Sequence, residues 1–98
     1  MEQEIRNLIE KNYKHTTVES VSVVKSNFSN DDCVILRCNT QSYRAPLIAL
    51  RILNTYPSVR LVQFTGGWME AVYTRETLRW AGYKVKDIKT VTVGRTEY

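Results

Sequence analysis

Residues 42–56 carry Leu47, Ile48, Leu50, Ile52, Leu53 and Tyr56, with Pro46 placed for a first helical turn and Pro57 just past the end. A helix this apolar leaves almost no face for water, so the rest of the chain must cover it on nearly every side. The segments flanking it read as β, because Asp32 to Thr40 and Val59 to Thr65 are rich in β-branched and aliphatic residues. A buried central helix between two strands predicts helices packed on a sheet.

The rest of the chain agrees with that frame. From Glu2 to Lys14, Ile5, Leu8, Ile9 and Tyr13 fall at i, i+3, i+4 and i+8, one helical stripe. Glu2 and Glu4 at its start and Lys11, Lys14 and His15 at its end match the helix dipole. Val18 to Phe28 and Asp32 to Thr40, joined by the polar turn Ser29, Asn30, Asp31, predict an antiparallel hairpin. On its second strand Val34, Leu36 and Cys38 share one face, and Cys33, Ile35, Arg37 and Asn39 share the other.

Gly66 and Gly67 allow two continuations. As a hairpin turn they make Trp68 to Tyr73 a strand, with Thr74 capping a short helix from Arg75 to Ala81 that stops at Gly82. As a helix start they make 68–81 one long helix, with Met69, Val72, Tyr73 and Trp80 in a stripe. Val72, Tyr73 and Thr74 form helix poorly, which favours the hairpin. A last strand is expected over Val85 to Val93, with a bulge near Asp87 to Lys89. The expected fold class is therefore a single α+β domain over 1–98. An N-terminal helix and strand precede a ferredoxin-like β-α-β-β-α-β order, with helices packed on a mostly antiparallel sheet. The alternative is an α/β domain with one long helix at 68–81.

With 98 residues, 43% hydrophobic and 24% charged, the chain has room for one core. It holds no run of 18 apolar residues and opens on an acidic, amphipathic stretch, so neither a membrane span nor a secretory signal is expected. Cys33 and Cys38 lie five strand positions apart, on opposite faces and roughly 16 Å from each other, well beyond the reach of a disulfide. With a single His in the chain they also make a poor zinc site. Free thiols point to a reducing, cytoplasmic compartment.

Nucleophilic catalysis lacks a base other than His15, and nothing local joins it to Cys33. A metal-dependent nuclease centre can be assembled from Glu19, Lys25, Asp32 and Asp87 only by selecting them one by one, and Asp31 and Asp32 read better as turn residues. Gly66 and Gly67 match no nucleotide-binding fingerprint.

A net charge of +4 and a pI near 9.2 favour polyanions. Arg75 and Arg79 are i, i+4 neighbours on the short helix, Lys84 and Lys86 share a face of the following strand, and Trp68 and Tyr73 are interleaved with them. Cations neutralise phosphates and aromatic faces stack on unpaired bases. The expectation is a non-enzymatic basic module, a monomer or homodimer without cofactor, metal or membrane. It binds single-stranded RNA or DNA through Arg75, Arg79, Lys84, Lys86, Trp68 and Tyr73. The alternative is a regulator or inhibitor that docks on an acidic protein surface, where Trp, Tyr and Arg are also favoured. A metal-dependent nuclease ranks third.

Overall fold

The structure is a computed structural model that describes residues 1–27, 30–66 and 70–86. The chain runs α1 (Glu2–Asn12), β1 (Thr17–Lys25), β2 (Asp32–Asn39), a 3-10 turn (Ser42–Arg44), α2 (Ala45–Thr55), β3 (Val59–Phe64), β4 (Ala71–Thr74) and α3 (Arg75–Trp80). This is the expected α+β order as far as α3. Val85 and Lys86, where the last strand was expected to begin, are not in a strand, and the rest of that element lies outside the described residues. No helix among the described residues is long and apolar enough to cross a membrane.

The four strands lie side by side in chain order. β1 and β2 form the antiparallel hairpin, with a register shift between Val18 and Ser20. β3 and β4 are antiparallel as well. Between these pairs β2 and β3 run parallel as direct neighbours, joined by the α2 crossover. The core fills one face of the sheet. Val34 and Leu36 of β2 and Val59, Val62 and Phe64 of β3 meet Ile5 and Ile9 of α1, Leu78 of α3, and Ala45, Ile48, Ala49, Ile52 and Leu53 of α2. Helix α2 buries Ala45, Ile48, Ala49, Ile52 and Leu53, but it is not covered on nearly every side as its composition suggests, because Leu47 and Arg51 on its outer side are exposed and Leu50 is only half-buried.

Edge strand β1 is guarded by α1. The Val23 N–H donates to the Glu2 carboxylate, and Arg6 donates to the Val18 carbonyl, so two backbone groups of that strand have partners within the chain. Asp32 opens β2 rather than lying in the turn. It is 5% exposed, paired with Lys25 at 3.0 Å, and accepts from Ser58 Oγ at 3.0 Å, so it ties β1, β2 and the start of β3 together. Both cysteines are free thiols, and burial with Glu19 nearby pushes the Cys38 thiol up to about 11.

β3 and β4 pair as an antiparallel hairpin and the long helix over 68–81 is not formed, but the strand begins at Ala71 rather than Trp68, so the connection from Phe64 is longer than a two-residue turn; Gly67, Trp68 and Met69 lie outside the described residues. Gly66 has φ +86°, a conformation that disfavours a side chain, and a β-carbon there would lie 2.9 Å from Cζ of Arg37. α3 is closed at both ends. Thr74 Oγ1 accepts from the Thr77 N–H, and Thr77 Oγ1 accepts from the Thr74 N–H, a capping box with Thr in the usual Glu position. At the other end Gly82, with φ +94°, donates its N–H to Arg79 O, and Tyr83 donates to Leu78 O, the paired bonds of a Schellman motif. Both caps hold this six-residue helix in place.

Candidate nucleic-acid interface

Of the residues expected to form one cationic and aromatic face, Arg75 is committed elsewhere. As the first residue of α3 it reaches under the end of α2, where its guanidinium donates to Leu53 O at 2.8 Å, Tyr56 O at 3.2 Å and Val59 O at 2.7 Å. The last carbonyls of a helix have no partner in their own ladder, and a cation there also meets the negative end of the dipole. Its Nε is buried without a partner, and burial pulls the guanidinium pKa down against the opposing pull of Glu76. Arg75 is a clamp between α2, β3 and α3.

Arg79, Lys84 and Lys86 do come together. Asn54 on α2 donates to Lys84 O at 3.3 Å and accepts from the Lys86 N–H at 2.9 Å, so one amide grips the backbone on both sides of Val85. Val85 packs toward the core while Lys84 and Lys86 are exposed on either side of it, in a segment that is not a strand. Arg79 joins them, donating to Lys86 O at 3.3 Å. Among the described residues none of these three cations pairs with a carboxylate.

The aromatic part of the expectation is redistributed. Trp68 lies outside the described residues. Tyr73 turns to the covered face of the sheet, edge-on to Phe64 with ring centroids 5.9 Å apart, and burial beside Tyr83 raises its hydroxyl pKa. Its ring belongs to the core margin and makes no stacking platform. The exposed aromatic residue of this region is instead Trp80, 94% exposed and next to Arg79 at the end of α3. The signal that finds it is its spacing from Leu78, because residues two apart on a helix point away from each other, and Leu78 is the buried one.

Lys86 also stands at the rim of a groove of about 520 Å³ on the outer side of α2, with Leu47, Leu50 and Asn54 along it and Tyr13 opposite. Arg51 donates to the Tyr13 hydroxyl at 3.3 Å and lies 5.7 Å from the centre of its ring. Among the described residues no carboxylate lines the groove. Of the residues collected for a nuclease centre, Lys25 and Asp32 pair with each other, Glu19 is paired with Arg37 toward the opposite end of the hairpin, and Asp87 is outside the described residues. His15 and Cys33 are likewise at opposite ends of β2. No protein-family model, curated protein or solved structure matches the chain.

Proposed function

We propose that this domain binds single-stranded nucleic acid, with Trp80 stacking on a base and Arg79, Lys84 and Lys86 meeting phosphates. The observation that carries this reading is Trp80, a large aromatic side chain 94% exposed at a capped helix end beside three cations that, among the described residues, pair with no carboxylate. An exposed indole offers the sequence-tolerant face on which unpaired bases stack, and the cations supply the attraction to the backbone. Arg51 and the groove along α2 extend the positive track beyond Lys86. Two free thiols support a reducing compartment such as the cytoplasm.

The test is fluorescence anisotropy with labelled single-stranded RNA and DNA over a range of salt. About three phosphate contacts predict a log-log slope near −2, and Ala at Arg79, Lys84 or Lys86 makes the slope shallower by about 0.7 each. Trp80→Ala costs about 1 to 3 kcal/mol of affinity and leaves the slope alone. Absence of binding at about 50 mM salt, or full affinity in Trp80→Ala, overturns the proposal and leaves an acidic protein surface as the partner to test.

A further inference from the structure

A second pocket lies at the carboxyl end of β2, where the chain turns into the crossover toward α2. It has a volume of about 340 Å³ and is lined by His15, Thr17, Asn39, Thr40, Gln41 and Arg44. That volume is at the small end of the range for ligand sites. Every lining side chain among the described residues carries a hydrogen-bond donor, and none of them is a carboxylate. Among the described residues the side chains of His15, Thr17, Asn39, Gln41 and Arg44 make no hydrogen bond to another protein group; Arg44 only lies over the ring of Tyr43, at 5.7 Å.

The floor of the pocket adds a buried donor. Thr40, 6% exposed, has its hydroxyl 2.8 Å from that of Thr16, which is 5% exposed. Two hydroxyls carry two protons, and their mutual bond uses one. When Thr16 donates, the Thr40 proton is left to point at whatever occupies the pocket.

We infer that this pocket binds a phosphate group, with Arg44 as the charge partner and Thr40, Asn39 and Gln41 as neutral donors. The site is separate from the Trp80 face, which lies at the far end of α2, beyond the Arg75 clamp. Its chemistry suits either a free phosphate or a terminal monoester, both of which present several acceptor oxygens to a fork of donors.

The experiment is a 1H–15N NMR titration of the full chain with inorganic phosphate at constant ionic strength, with chloride as the balancing anion. Saturable shifts confined to the amides of residues 15–17 and 39–44 are expected, with affinity at least about tenfold weaker in Arg44→Gln and in Thr40→Val. Arg44→Gln removes a partly exposed side chain with no protein hydrogen bond, so its fold is secure if Thr40→Val does not express. A nucleoside monophosphate that competes with phosphate identifies a monoester ligand, and one that does not leaves free phosphate as the ligand. Non-saturating shifts, or equal affinity in Arg44→Gln, overturn the inference. Trp80→Ala separates the two sites: phosphate affinity unchanged in it supports an independent pocket, whatever happens to oligonucleotide binding, and its loss overturns that independence.

Discussion

Replacing Arg75 by Met keeps most of the aliphatic bulk of the side chain and removes every donor, which isolates the clamp. The guanidinium makes three bonds to carbonyls, two from the end of α2 and one from the first residue of β3. Bonds from a charged donor are worth roughly 1.5 to 3 kcal/mol each, while burying the guanidinium, with its Nε unpartnered, subtracts from the sum. A net cost of about 2 to 4 kcal/mol follows. For a domain of this length each kcal/mol moves the melting temperature by roughly 4 to 8 °C, so a fall of about 10 °C or more is expected. Arg75→Lys falls almost as far, because an ammonium on a flexible stem does not reproduce the planar fork that reaches three acceptors. Arg79→Ala, by contrast, stays within about 0.5 kcal/mol of the unaltered chain. Thermal melts by circular dichroism, run beside oligonucleotide binding, decide the matter. An Arg75→Met protein that melts within a few degrees of the unaltered chain yet loses binding would return Arg75 to the ligand surface and refute the clamp.

Leu53 is fully buried, whereas Leu50 is half-buried and lines the groove on α2. Leu53→Ala should therefore cost about 2 to 5 kcal/mol in urea unfolding and Leu50→Ala distinctly less; equal midpoints would mean that the outer side of α2 is not open. Asp32 makes a pH-dependent contribution, because its bond to Lys25, helped by Ser58, holds the carboxyl below its ordinary range against the effect of burial. A pKa lower in the folded than in the unfolded chain gives stability that is present above pH ~3.9 and is lost as pH falls through the folded value. Asp32→Asn should lower the melting temperature at pH 7 and flatten its decline below about pH 4. An acid limb as steep in the variant as in the unaltered chain would assign that decline to other carboxylates.

Local patterns made most of the elements legible. The stripe of Ile5 and Ile9, the alternation of Val34 and Leu36, and the pairing of Thr74 with Gly82 as start and stop depend only on neighbours in sequence, and each lands where those neighbours dictate. The adjacency of β2 and β3 is different, since it rests on α2 carrying the chain back in the same direction beside β2. The register shift after Val18 is likewise invisible in a run of alternating Val and Ser. Asp32 looked like a turn residue by type, and only its nearness to Lys25 and Ser58 makes it a strand anchor.

The candidate site divides along the same line. Spacing alone puts Arg75 and Arg79 on one helical face, and a long exposed helix would present both to a ligand. In a helix of six residues, however, the first turn still lies against the element before it. Helix side chains lean toward the N-terminus, so Arg75 is carried back under the open carbonyls of α2 while Arg79, one turn later, clears that helix and reaches Lys86. The same geometry turns Leu78 inward and leaves Trp80 outside. Which cation is structural and which is free is thus set by the length of α3 and by where α2 ends, two quantities that no pairwise spacing contains. That is why the lysines and Arg79 can be read from the chain as a surface, while the guanidinium that anchors this surface to the fold cannot.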